Sequence, residues 1–171
     1  MFAIVVLLFL LSGLSSLIYQ VVWTRMLVFV FGSTMFASST VLAVFMGGLA
    51  LGAFLAGRFA DRVKRPFLWY GILEGIIGVW ALLTPFFFDA AIPLYRVIWQ
   101  QFHLSVIPFS LTRFAIAALI LLPPTTCMGA TLPLLSRFVT STLSNIGDRV
   151  GTLYSINTLG AVIGSIGAGF F

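Results

Sequence analysis

The sequence predicts an all-α integral membrane protein whose 171 residues form a single transmembrane domain, residues 1–171. The chain is 61% hydrophobic, only 8% of its residues are charged, and its mean hydropathy is +1.17. A soluble domain would carry about 25% Asp, Glu, Lys and Arg. Because no soluble core of this size could bury so much apolar surface, we expect lipid to surround most of the chain.

Five charge-poor stretches each reach the roughly 20 residues that a helix needs to cross a bilayer. We expect these helices at about residues 2–23, 34–57, 67–88, 112–138 and 150–171. An interfacial segment at about residues 89–108 mixes polar and aromatic side chains, a pattern typical of the headgroup layer. Within it, His103 has no acidic or cysteine partner nearby, so a surface residue is expected rather than a ligand.

Prolines set the fourth stretch apart from the others. Pro123, Pro124 and Pro133 each remove a backbone donor and crowd the preceding turn, so the sequence predicts a fourth helix that is kinked or broken near its middle. Broken helices near the midplane build many transporter sites. A kink that only shapes the bundle is an equal alternative.

Basic residues indicate the orientation. Four of the nine lie within the eight positions from 58 to 65, in a short loop that the positive-inside rule places in the cytoplasm. The N-terminus is then cytoplasmic and the C-terminus lies at the outer face. The net charge of +5 is spread over the ends of apolar runs, which argues against nucleic-acid binding.

Glu74 is the only acid inside a predicted span, where a carboxylate costs at least ~2.5 kcal/mol and needs a partner, a proton or a function. Asn157 and the Thr126 and Thr131 region lie at a similar depth, with Tyr154 one turn below Asn157. We expect these residues to form one polar layer that binds a substrate.

A second polar set is expected near the outer ends of the helices and comprises Tyr19, Gln20, Arg25 and Arg113. The two arginines could bind an anionic group, but anchoring at the interface is the favoured interpretation.

Small residues recur at four-residue spacing on three of the predicted helices, where they let backbones approach closely. The pairs are Gly48 and Gly52, Gly71 and Gly75, and Gly160 and Gly164. We expect them to pack helices within the chain rather than to form a dimer interface.

Enzyme activity is not expected, because the sequence contains no nucleophile–base pair, metal-ligand cluster or phosphate-binding loop. No metal, other cofactor or catalytic residue is predicted. The single cysteine, Cys127, excludes an intrachain disulfide.

The loop motif Gly57-x-x-x-Asp61-Arg62-x-Lys64-Arg65 is similar to the loop between the second and third helices of major facilitator transporters. The resemblance implies a gating charge cluster made by Asp61, Arg62 and Arg65. The family usually has glycine where Lys64 stands and a basic residue where Pro66 stands, so the match is partial.

More specifically, the chain resembles the membrane portion of bacterial fused facilitator/spermidine-synthase-like proteins. Residues 12–25, 31–33, 45–52 and 151–160 carry the resemblance, together with Thr126-Cys-Met-Gly-Ala-Thr-Leu-Pro133. It implies half of a major facilitator fold in the bacterial inner membrane. Gln20 departs from the family, in which an acid commonly stands at that position and pairs with the residue matching Arg25.

The aminopropyltransferase domain of that family and a sixth helix are absent from the sequence. A fragment, a split gene product and one subunit of an assembly all remain open. Either another membrane protein or a second copy is expected to cover the face that a sixth helix would occupy.

Two functions follow from these observations. The leading hypothesis is a half-bundle that binds or transports a small cationic, polyamine-like solute through Glu74. The alternative is a non-transporting accessory subunit that packs against a larger complex or a missing soluble domain.

Overall fold

The computed structural model describes residues 2–32, 34–102, 105–142 and 146–170. These form five α-helices: α1 (Phe2–Phe31), α2 (Thr34–Phe59), α3 (Pro66–Phe102), α4 (Val106–Thr142) and α5 (Ile146–Phe170). All five are long and apolar enough to cross a membrane, which confirms the predicted multi-pass, all-helical class. His103 and the terminal Phe171 lie outside the described residues.

Helix α1 continues eight residues beyond its predicted end and stops at Phe31. Gly32 terminates it in the left-handed conformation, with φ +67°, and donates its N–H to the Val28 carbonyl at 2.8 Å. A glycine adopts this conformation without a Cβ penalty, so it can close the last turn of a helix. The sequence around Arg25 contains no such stop, and one arginine near a membrane surface does not end a helix.

The segment predicted to lie in the headgroup layer belongs to two helices instead. Residues 89–102 continue α3 without interruption, and α4 begins at Val106 rather than near residue 112. Pro85 and Pro93 lie inside α3 without ending it. No glycine follows Gly78 in this helix, so the helix also lacks a glycine stop before Phe102. At about 55 Å each, α3 and α4 are longer than the ~30 Å hydrocarbon layer.

Helix α4 is continuous across its three prolines, so the predicted break is not seen as an interruption. Pro124 has no N–H to give to the carbonyl of Ile120, four residues earlier. The indole Nε1 of Trp80 on α3 donates to that carbonyl at 2.9 Å. Thr125 donates to the carbonyl of Leu121 at 2.8 Å. The indole of Trp80 therefore satisfies the carbonyl that Pro124 leaves without its helical donor, as a lipid environment requires.

Two helix pairs pack at close backbone distance. A Cβ at Gly52 on α2 would lie 2.8 Å from the carbonyl carbon of Thr126 on α4, closer than real Cβ contacts. On the other pair, Gly160 and Gly164 of α5 face the backbone of α1 with equally little room. These glycines remove the side-chain thickness that would otherwise separate the helices.

Two clusters of buried apolar side chains hold the bundle together. One centres on Trp23, Phe45 and Leu121, and the other on Phe9 and Leu135. Outside these clusters large apolar side chains are exposed, among them Leu82 and Leu119 at 75% each. So much exposed apolar surface fits a bundle that lipid surrounds.

The basic residues separate to the two ends of the bundle. Asp61, in the short 3-10 helix Ala60–Arg62, pairs with Arg137 of α4, and Arg149 of α5 lies 4.1 Å from the ring centroid of Phe2 on α1. We call this the basic end, because six of the nine basic residues belong to it: Arg58, Arg62, Lys64, Arg65, Arg137 and Arg149. Arg25, Arg96 and Arg113 lie toward the opposite end.

Candidate functional site

Glu74 lies on α3 where this helix passes α1, about 12 Å along the axis from Pro66. The hydroxyl of Ser12 on α1 donates to its Oε1 at 2.6 Å. Ser12 is buried, whereas Glu74 is half-buried. Glu74 is not in an ion pair with any Lys or Arg of the described residues. Tyr70 on α3 also interacts with this carboxyl group, so its partners among the described residues are neutral hydroxyl groups and none of them is a cation.

A groove of about 300 Å³ opens beside this carboxyl group, between α1 and α3. We call it the Glu74 groove. Its lining is Leu8, Leu11, Ser12, Ser15, Phe67, Tyr70, Gly71 and Glu74. Most of the walls are apolar, and three hydroxyl groups are the other polar side-chain groups in the lining.

Gly71 of α3 lines this groove, and Gly75 lies one turn further along the same helix. Gly71 and Gly75 have no atom within 4 Å of the position where a Cβ would lie, so they do not pack against another described helix. Tyr70 closes one end, where its hydroxyl donates to the Leu8 carbonyl at 3.3 Å. The rings of Phe67 and Tyr70 stack with centroids 6.2 Å apart and form an aromatic wall.

Asn157 meets the same level of α1 from the other side. Its Nδ2 donates to the Phe9 carbonyl at 3.0 Å, and its backbone packs on Gly13, the residue after Ser12. Glu74 and Asn157 are therefore within one turn of each other along α1, but that helix separates them. They lie at the same level along α1, but Asn157 does not line the Glu74 groove.

The other residues of the predicted polar layer do not line the Glu74 groove. Thr126 and Thr131 donate to carbonyls of their own helix, those of Leu122 and Met128, each at 2.7 Å. Tyr154 is 63% exposed on the outer surface of α5. The two threonine hydroxyls donate to the backbone of α4, and the Tyr154 side chain lies on the outer surface, away from Glu74.

Sequence reasoning missed Ser12, Ser15 and Tyr70 as neighbours of Glu74. Tyr70 precedes Glu74 by four residues, and this spacing places both on one face of α3. That signal was present in the sequence. The serines could not be found in the same way, because nothing in the sequence shows which face of α1 meets α3.

The predicted gating residues occupy the basic end. Asp61 accepts a hydrogen bond from Arg137 Nη1 at 2.7 Å, and the guanidinium of Arg62 lies 5.8 Å from the ring centroid of Phe59. Arg65 is exposed. The pair that the structure forms thus links the loop after α2 to the end of α4.

The predicted outer polar set divides between two helix ends. Arg25 Nη2 donates to the Gly169 carbonyl of α5 at 3.0 Å, and Arg113 Nη1 donates to the Phe31 carbonyl of α1 at 3.2 Å. Terminal helix carbonyls lack intrahelical donors and carry partial negative charge, so each arginine stabilises a helix end.

The remaining two residues of the predicted outer polar set are Tyr19 and Gln20. Tyr19 stacks on Trp23 with ring centroids 5.7 Å apart. Gln20 has a buried Oε1 with no hydrogen-bond partner among the described residues.

No group of three or more His, Cys, Asp or Glu side chains in the described part of the chain could hold a metal ion.

Comparison with protein-family models, with curated proteins and with solved structures finds no match. The resemblance to facilitator/spermidine-synthase-like proteins therefore stays a prediction.

Proposed function

We propose that this multi-pass membrane protein binds a small organic cation of the polyamine class in the Glu74 groove. The observation that carries the proposal is the half-buried carboxyl group of Glu74, which has Ser12 as a donor and open volume beside it. A carboxylate in a membrane span costs at least ~2.5 kcal/mol unless charge or protons compensate it. A bound ammonium group would supply that compensation.

The lining of the groove matches both parts of a polyamine. Leu8, Leu11 and Phe67 offer apolar surface to the methylene chain, and Ser15 offers a hydroxyl to an ammonium group. The aromatic wall of Phe67 and Tyr70 adds attraction for a cation, about 0.5–2 kcal/mol where water is excluded. A dicarboxylate or phosphate ligand would meet repulsion from Glu74 in the same groove.

Transport of the bound cation and placement in the bacterial inner membrane, with the basic end cytoplasmic, are part of the proposal. The segregation of six basic residues to one end supports the orientation through the positive-inside rule. The resemblance to one half of a facilitator bundle supports movement of a solute.

The binding test uses the full chain in lipid nanodiscs with radiolabelled putrescine and spermidine. Glu74→Gln keeps the size and the hydrogen-bond acceptor but removes the charge, and we expect at least a tenfold loss of affinity. Asp89→Asn is the matched control, because Asp89 is an exposed acid on the same helix that does not line the Glu74 groove. Equal binding by wild type and Glu74→Gln would contradict the proposal.

A second candidate is an accessory membrane subunit, and the uncovered glycines of α3 favour it. Gly71 and Gly75 leave a smooth surface next to Glu74 that would admit a partner helix closely. Such a partner would close the Glu74 groove and would bring a basic or polar side chain to the carboxyl group. Stoichiometric copurification of another membrane protein, which crosslinks to the Gly75→Cys variant, would favour this candidate over solute binding.

A further inference from the structure

A second groove, of about 570 Å³, opens at the end of the bundle opposite the basic end. Helices α1, α3 and α4 form it, and Phe36 of α2 borders it. We call it the arginine groove, because Arg96 of α3 and Arg113 of α4 both line it. None of the residues that line it is acidic, so its field favours an anion.

Arg113 is held in place by aromatic rings and by a helix end. Its guanidinium lies 4.2 Å from the ring centroid of Phe109 and 5.5 Å from that of Phe31. Nη1 donates to the Phe31 carbonyl at 3.2 Å, whereas Nε is buried without a hydrogen-bond partner among the described residues. The hydrogen-bonding capacity of this cation is thus incompletely used within the described chain.

Arg96 faces the same groove from α3 and is exposed. It is not in an ion pair with any acid of the described residues. The floor between the two arginines is apolar and aromatic, with Trp99 and Phe109 in contact at 4.7 Å between ring centroids. A free inorganic anion would leave that apolar surface unused.

The position of the arginine groove along the helices places it at one surface of the membrane. About 36 Å of helix separates Arg113 from Arg137, and about 46 Å separates Arg96 from Arg65. The hydrocarbon core is ~30 Å thick, and the bilayer with its headgroups is ~40–45 Å. The guanidinium groups of Arg96 and Arg113 therefore lie in the headgroup layer of the leaflet that is remote from the basic end.

We propose that the arginine groove binds an anionic phospholipid. The phosphodiester lies between Arg96 and Arg113, and an acyl chain packs on the aromatic floor beside Trp99. Arginine is suited to this role because its planar fork matches the oxygens of a phosphate and also stacks on aromatic rings. The site is independent of the Glu74 groove and of the cation proposed there.

Native mass spectrometry of the full chain tests the proposal, with phosphatidylglycerol, phosphatidylcholine and inorganic phosphate as probes. We expect phosphatidylglycerol to be retained at least tenfold more tightly than phosphatidylcholine, and its retention to fall as salt rises. Arg96→Gln is expected to remove most of this preference. Because Arg96 makes no hydrogen bond to another helix among the described contacts, folding should be unaffected.

Arg25→Gln is the matched control, since Arg25 lies toward the same end of the bundle but does not line the arginine groove. Arg113→Lys is the second variant, which keeps the charge and loses the fork, and intermediate retention is expected. Equal retention of the two lipids would overturn the proposal. So would equal losses in Arg96→Gln and Arg25→Gln, or phosphate binding as tight as that of phosphatidylglycerol.

Discussion

Helix α2 and helix α3 both carry glycines at four-residue spacing, and their surroundings differ completely. Gly48 and Gly52 of α2 press against α4, where a Cβ would overlap Thr125 and the backbone of Thr126. Gly71 and Gly75 of α3 have open space in place of their Cβ atoms. The same motif therefore joins two helices in one region and leaves a surface bare in the other.

The difference shows that small residues act in two ways in this bundle. Between α2 and α4 they fix a backbone contact, which is a source of rigidity. On α3 they leave open space next to Glu74, and Gly71 lines the Glu74 groove, which a ligand or a partner helix could use. Packing contact is thus confined to the glycines of α2, and we expect substitutions at the two glycine pairs to affect stability differently.

The largest expected effect comes from the paired substitutions Gly52→Ala and Gly75→Ala. A methyl group at position 52 would lie 2.8 Å from the Thr126 carbonyl carbon and 2.9 Å from the Ala130 nitrogen, so the helices must separate. We expect a loss of about 1–3 kcal/mol in the free energy of unfolding, as overpacked cores show. At position 75 the methyl group meets nothing, and alanine favours helix by about 0.5–1 kcal/mol.

Unfolding in mixed micelles with increasing SDS measures both variants against wild type. The comparison predicts opposite signs for the two substitutions, with Gly75→Ala neutral or more stable. Equal destabilisation by Gly75→Ala would mean that the face of α3 is packed in the protein as isolated. That result would favour the accessory-subunit candidate.

The number and class of the helices could be predicted from the sequence, whereas the packing of their glycine faces could not. Helix number and class were predictable, because charge-poor stretches of spanning length need only the chain itself. Which glycine face is packed was not predictable, since these helices are apolar on every side and no amphipathic stripe marks an interface. The long ends of α3 and α4 were missed because aromatic and polar residues suit both a headgroup layer and a projecting helix.

The candidate site was predictable only in its centre. Glu74 is identifiable as an isolated acid in an apolar run. Its partner Ser12 depends on the rotation of α1 against α3, which no local pattern encodes. The partners of Thr126 and Thr131 lie within α4, because a threonine hydroxyl can reach a carbonyl three or four residues earlier without any tertiary contact.

A smaller effect is expected at Trp80, which ties α3 to α4. Trp80→Phe removes the donor to the Ile120 carbonyl and leaves that carbonyl unpaired beside Pro124. We expect a loss of about 1 kcal/mol in the free energy of unfolding, at the lower end of the range for an unsatisfied buried polar group. Trp69→Phe is the matched control, because Trp69 is half-exposed on the same helix and makes no side-chain hydrogen bond among the described contacts.

A double-mutant cycle with Pro124→Ala sharpens this prediction. Alanine at position 124 restores an N–H that can reach the Ile120 carbonyl, so Trp80→Phe should cost less in that background. The same SDS unfolding measures all four corners of the cycle. An unchanged cost of Trp80→Phe would show that the indole acts through packing alone, and the contact of α3 with α4 would then not depend on the prolines.

The smallest expected effect concerns the ion pair that links the loop before α3 to α4. Asp61 and Arg137 approach to 2.7 Å, but the Asp61 side chain is 91% exposed and that of Arg137 is 34% exposed. Exposed pairs contribute about 0–1 kcal/mol and are screened by salt. We therefore expect Asp61→Asn to lower the free energy of unfolding by less than about 1 kcal/mol, and this loss should vanish in molar NaCl.

Asp148→Asn, at an exposed acid near the same end, serves as the control. A larger, salt-insensitive loss would mean that this pair, and not the glycine contact between α2 and α4, secures the basic end of the bundle.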